Sequence, residues 1–173
     1  MKIKALFLTC ILTFCVQTVG AQAPMQELPF DPDVVKGTLP NGLTYYIQHN
    51  ENPKDRAFFY IAQKVGSVQE DENQRGLAHF LEHMCFNGTR HYPGNNIVEY
   101  LTANGMHFGR DINASTGFDD TRYQFSRVPT DRPSLLDTLC LMLRDLSDGL
   151  ELRPDDIEKE KRSVEQEWLD TDE

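Results

Sequence analysis

Cysteine is scarce in this sequence, with four in 173 residues. That is too few to staple the chain as a disulfide scaffold. Positive charge is scarce as well. Lys and Arg number 17 against 27 Asp and Glu, for a formal net charge of −10. No Lys/Arg cluster supplies the basic face that phosphate demands, which excludes a general nucleic-acid binder. Beyond residue 21 no apolar run is long enough to span a bilayer. Internal repeats and low-complexity segments are absent too. Composition is otherwise ordinary, at 39% hydrophobic and 25% charged residues, so disorder as the main state is excluded. The length suits one domain or a piece of a larger one.

The one long apolar run lies at the start. Lys2 and Lys4 precede an apolar stretch from Ala5 to Val19, no acid occurs before Glu27, and Val19-Gly20-Ala21 offers small residues for cleavage. This is the pattern of a secretory signal peptide over residues 1–21. It predicts an exported protein, periplasmic or extracellular in a bacterium, with no membrane span after signal removal. Loss of that segment removes two lysines and no acid, taking the charge from −10 to −12. Cys85 and Cys140 remain. In an oxidising compartment they either pair or stay as separate core thiols.

Residues 22–33 hold three prolines and read as an extended lead-in. From residue 34 to 173 the chain reads as one folded domain. Val34–Leu39 and Leu43–Gln48 flank Pro40-Asn41-Gly42 and predict a β-hairpin. Ala57–Val65, Ile112–Ser115 and Thr121–Val128 read as further strands. A helix is expected from Gly76 to Phe86, stopped by Asn87-Gly88. A short helix capped by Asn95 or Asn96 should end at Asn104-Gly105. Pro133 and Ser134 open a strongly apolar helix with Leu136, Leu139, Leu143, Leu146 and Leu150 at helical spacing. Leu135, Cys140, Leu141 and Met142 occupy its other faces, which predicts burial all round. Pro154 suits the first turn of a last helix ending near Leu169. Strands and helices mix without a βαβ rhythm, so the expected class is α+β.

The chemistry concentrates in His79-Phe80-Leu81-Glu82-His83. On a helix, with about 100° per residue, His79, Glu82, His83 and Phe86 share one face. Leu77, Phe80, Leu81 and Met84 share the opposite one, suited to the core. Two imidazoles one turn apart can hold one metal ion, and a carboxylate beside them can act on water at that metal. The order is H-x-x-E-H, the reverse of the commoner H-E-x-x-H zinc helix. A chance match in a chain with five His is roughly one in a hundred.

Catalytic zinc usually takes three protein ligands and keeps a position for water. The last helix offers candidates. Ile157, Val164 and Trp168 form its apolar stripe, and Glu160 and Glu167 lie two turns apart on the stripe's edge. Carboxylates drawn toward a core need a partner such as a metal. Salt bridges at a stripe border would also explain them, but beside the histidine motif the metal reading is the stronger. Glu165 competes on spacing alone, on the wrong helix face.

These residues, with Asn87-Gly88-Thr89, Tyr92-Pro93, Asn113-Ala114, Thr121 and Tyr123, resemble the pitrilysin or insulin-degrading-enzyme family of zinc metallopeptidases, the inverzincins. Phe108-Gly109-Arg110-Asp111-Ile112-Asn113-Ala114 is most similar to its bacterial exported branch. The likeness runs from about Val34 to the end. It implies an antiparallel sheet packed against helices, as in the N-terminal half-domain of such peptidases. It implies one zinc ion held by His79, His83 and Glu167, with Glu82 as the catalytic base. Glu160 would orient a ligand histidine, and Asn113 and Ala114 would lie on an edge strand that pairs with the substrate backbone. The implied activity is endopeptidase hydrolysis of peptides or unfolded polypeptides by metal-activated water.

Family members are much longer and build a chamber from two homologous halves. This chain therefore resembles an incomplete N-terminal domain that needs a C-terminal half or a companion subunit. The alternatives are a peptide-binding partner subunit and a zinc-binding protein without turnover. His49, His91 and His107 have no ligand-spaced partner and read as surface or loop residues. Asn87-Gly88-Thr89 and Asn113-Ala114-Ser115 fit glycosylation sequons but read as structural.

Overall fold

The computed structural model describes residues 29–171. The expected signal segment, residues 1–21, lies outside the described residues, as does the lead-in up to residue 28. The chain divides into two compact units, with the boundary between His49 and Asn50.

In the first unit β1 (Val34–Thr38) pairs antiparallel with β2 (Thr44–Gln48), with Val35 opposite Ile47. The turn is wider than a two-residue Asn-Gly turn. Gly42 N–H donates to the Leu39 carbonyl at 2.9 Å, and Leu39 N–H donates to the Leu43 carbonyl at 2.8 Å. Gly42 takes a φ of +89°, a region that favours glycine, while Asn41 does not. Pro40 supplies the fixed φ of the turn's second position. Leu39 and Leu43 are thus drawn into the turn, and both strands are a residue shorter than expected. Lys36 lies 5.6 Å from the ring centre of Phe30 and 5.5 Å from that of Tyr46.

The second unit is built on a three-stranded antiparallel sheet. Its order is β3 (Arg56–Gln63), β5 (Thr121–Pro129), β4 (Ile112–Thr116), with β5 central and β4 at an edge. Tyr123, Phe125 and Val128 of β5 are buried. The β3–β5 register shifts between Ala57 and Phe59, and the extra β5 residues include Arg127 at φ +55°. This bulge aims Arg127 at a buried carboxylate. Arg127 Nε donates to Asp111 at 3.0 Å, and Arg110 donates to the same group at 3.0 and 2.6 Å. Arg110 chiefly, then Arg127 and the His107 N–H, hold the Asp111 carboxyl well below the usual carboxylate range, against the effect of burial.

Among the described residues four α-helices accompany the sheet: α1 (Leu77–Met84), α2 (Asn96–Ala103), α3 (Pro133–Asp148) and α4 (Pro154–Thr171). The α+β class is as expected. Ile97 and Leu101 of α2 and Leu135, Leu139, Met142 and Leu146 of α3 meet the buried face of the sheet. Here α3 departs from its expected burial all round. Its buried stripe is Leu135, Leu139, Met142 and Leu146, at i, i+4, i+7 and i+11, and Cys140 on another face is exposed. The helix packs through one side only, and Leu150 falls beyond its end. Asn95 makes no side-chain cap on α2.

Cys85 and Cys140 are both free. Cys85 donates to the Tyr123 hydroxyl at 3.1 Å, and burial pushes its thiol up to about 11. Cys140 is a surface thiol, not a core one.

Candidate metal centre and active site

The first turn of α1 is fixed by a contact that no local pattern signals. Glu70 accepts the N–H of Gly76 at 2.8 Å and that of Ala78 at 2.7 Å. Its carboxylate satisfies donors the helix leaves open and complements the positive end of the helix dipole. Gly76, at φ +85°, makes the turn into the helix.

From this start α1 presents a rotated face. Ala78, Glu82, Met84 and Cys85 are buried, while Leu77, expected in the core, is 45% exposed. The rotation follows from Glu82. Its carboxylate turns inward and accepts the Thr116 hydroxyl of β4 at 2.5 Å. A nearly buried carboxylate needs such a partner.

His79 and His83 are brought together as their spacing requires. Their Nε2 atoms lie 3.1 Å apart and their rings meet edge to face. Across from them stands α4. Glu167 Oε2 is 3.2 Å from His83 Nε2, and Glu167 Oε1 is 3.7 Å from His79 Nε2. Ligand atoms of all three residues lie within 4.8 Å of one another. A tetrahedral zinc with bonds of 2.0–2.1 Å separates its ligands by about 3.3 Å, and the observed distances bracket that value. This donor set fits zinc.

Behind the histidines a buried carboxylate faces the other ring nitrogen of His83. His83 Nδ1 lies 2.8 Å from Glu160 Oε1. In the tautomer that gives its Nδ1 proton to that carboxylate, Nε2 would turn a lone pair toward His79 and Glu167. The other Glu160 oxygen accepts from Asn87 Nδ2 at 2.8 Å, and Asn87 Nδ2 also reaches the His83 carbonyl at 3.2 Å. The helix ends at Met84, two residues before its expected end, and Asn87 serves the site instead of stopping the helix. Glu160 is buried, in keeping with its place at the stripe's edge. Glu165 is exposed, on a different face. Trp168, expected in the apolar stripe, is 65% exposed. The eight residues of α1 span about 12 Å and the 18 of α4 about 27 Å. Thus α4 outruns the surface that α1 offers it.

An open cleft of about 660 Å³ is lined by His79, Glu82, His83, Phe108, Asn113 and Ala114, among others. Asn113 and Ala114 lie on β4 with one side of the strand paired to β5. The other side is bounded by two loops. Gly109 N–H donates to the Ile112 carbonyl at 2.8 Å, and Ser67 N–H to the Gly117 carbonyl at 3.2 Å. Between them β4 offers a short edge beside the histidines.

The loop after α1 is anchored from below. Asp145, buried on α3, accepts from Thr89 Oγ1 at 2.9 Å and from the His91 N–H at 3.0 Å, and lies 2.9 Å from His91 Nδ1. Burial raises the Asp145 carboxyl, but the bonds from His91 and Thr89 outweigh it and the net direction is down. His91 lies in a loop with its side chain 41% exposed, as expected, but it also pairs with Asp145. Sequence separation of 54 residues hides the pair, and only the polar Asp145 beside Leu146 and Met142 signals it. Thr89 is fully buried, so Asn87-Gly88-Thr89 is structural, as expected.

The insulinase family model (peptidase family M16) matches residues 45–173. The "Probable zinc protease PqqL" of Haemophilus influenzae is 36% identical over 167 residues, covering 96% of this chain and 18% of the relative. The protein of the same name from Escherichia coli is 38% identical over 141 residues, covering 82% and 15%. The crystal structure of the first half of the periplasmic protease PqqL from Escherichia coli matches with a TM-score of 0.79 at 37% identity, covering 82% of this chain and 30% of that one. The chain thus spans less than a fifth of the length of these two curated relatives.

Proposed function

The chain belongs to the insulinase family of peptidases (M16), and on that premise we propose that it carries the zinc site and general base of a metalloendopeptidase acting on peptides or unfolded polypeptides. The observation that carries this reading is the convergence of His79, His83 and Glu167 from two helices, with Glu82 beside them in one cleft. Relatives named as zinc proteases support it.

When bound, zinc supplies Lewis-acid chemistry, lowering the pKa of a coordinated water and polarising a carbonyl. His79, His83 and Glu167 would hold it, and Glu160 keeps His83 oriented. Glu82 Oε2 is engaged by Thr116, which leaves Oε1 to work as the base. Glu82 takes a proton as water oxygen bonds to the peptide carbonyl carbon, then delivers it to the departing amine as the C–N bond breaks. Asn113 and Ala114 present backbone groups at the edge of the sheet, suited to an extended peptide with limited sequence demand.

Export to a periplasm or the cell exterior accords with the N-terminal segment and with the periplasmic relative. No helix among the described residues is long and apolar enough to cross a membrane. A second reading, that this segment binds zinc but turns over peptide only with a further half or companion subunit, rests on the small share of the relatives that it spans. Cleavage of a quenched peptide, with and without that further half, tests both. Glu82→Gln should abolish cleavage in either format, and wild-type turnover by that variant would sink the base assignment.

A further inference from the structure

The hydroxyl on Glu82 comes from β4, the strand proposed to dock substrate. Ile112, Ala114 and Thr116 share its inward face, while Asn113 and Ser115 face out. Thr116 is the last strand residue, and the two residues after it are tied down. Gly117 N–H donates to the Asp120 carbonyl at 2.8 Å, Ser67 N–H to the Gly117 carbonyl at 3.2 Å, and Val68 N–H to the Phe118 carbonyl at 2.8 Å. Three backbone bonds thus fix the end of β4 and, with it, the Thr116 side chain. On the other side Glu82 has little freedom, since it is nearly buried on a helix whose first turn Glu70 holds.

We propose that Thr116 is a positioning residue for the base: its hydroxyl engages one Glu82 oxygen, so the strand that aligns the peptide also fixes where the other oxygen stands. The inference rests on the proposed role of Glu82. Its consequence is that peptide register and base position are set by one rigid element, separated by two residues from Ala114 to Thr116. A 1 Å misplacement of a catalytic group costs turnover far more than binding, so the effect belongs in kcat.

Two variants of the full chain test this. Thr116→Val keeps the shape and removes the hydroxyl, and Thr116→Ser keeps the hydroxyl. The direct readout is the carboxyl ¹³C resonance of Glu82 in glutamate-labelled, metal-free protein, assigned by its loss in Glu82→Gln. Thr116→Val should move that resonance and Thr116→Ser should return it toward wild type. With zinc bound and the further half supplied, Thr116→Val should lower kcat about tenfold, leaving KM and zinc content unchanged, and Thr116→Ser should recover most of it. An unmoved resonance in Thr116→Val, or a kcat loss that Thr116→Ser does not recover, overturns the proposal while the Glu82 role stands. Wild-type turnover by Glu82→Gln overturns both.

Discussion

Glu160 Oε1 lies 2.8 Å from His83 Nδ1, and its other oxygen accepts from Asn87 at the same distance. One buried carboxylate thereby holds a histidine ring and the loop that follows its helix. Glu160→Gln keeps the shape but weakens the hold on the Nδ1 proton. Zinc affinity should fall by about 10- to 100-fold, read by competition with a chelating dye. Unchanged affinity would mean that His83 is oriented by other contacts.

Asp145 joins α3 to the loop leaving α1. Asp145→Ala strands the Thr89 hydroxyl and the His91 N–H without their acceptor. Loss of a buried, charge-assisted acceptor should cost about 2–4 kcal/mol of stability. Urea unfolding of the metal-free chain measures it. His91→Ala should cost less, because its ring is partly exposed and its N–H remains.

Acid should unfold the protein in part through Asp111. Its carboxyl sits lower in the folded chain than in the unfolded one, through Arg110 first and then Arg127. At acid pH the unfolded chain therefore takes up this proton more readily. The contribution is complete above the ordinary carboxylate value near about 4 and is lost as pH falls below it. In metal-free protein, where zinc release does not intervene, Asp111→Asn should lower Tm at neutral pH. The gap from wild type should shrink between about pH 5 and pH 2. A gap that stays constant would contradict the assignment.

Gly66 is needed for closeness, not for φ. A Cβ there would stand 2.5 Å from the Gly117 carbonyl oxygen and 2.7 Å from Phe118 backbone atoms. Gly66→Ala must push back the loop that fixes the end of β4. We expect a loss of about 1–3 kcal/mol by thermal unfolding, with turnover falling further than stability explains.

The parts of this molecule that follow a local period were readable in advance. Each strand fell within about two residues of its expected ends, and the H-x-x-E-H spacing brought His79 and His83 together. Glu160 and Glu167 were findable because seven residues on a helix return to the same face. What escaped were side-chain contacts that follow no local period. The Thr116 hydroxyl on Glu82 and the Asp145–His91 pair leave no periodic trace, since each joins residues through tertiary packing, and the Glu70 carboxylate reaches Gly76 and Ala78 across an irregular loop. The exposure of Leu77 and Trp168 escaped for the same reason. Amphipathic spacing gives a face but not how much of its neighbour is there to cover it.

In the proposed site His79, His83 and Glu167 hold zinc while Glu82 does not. Metal content of the purified chain and two variants tests it most directly. About one zinc per chain is predicted for wild type and for Glu82→Gln, with a marked loss in Glu167→Gln. Full zinc content in Glu167→Gln, or none in wild type, would contradict it.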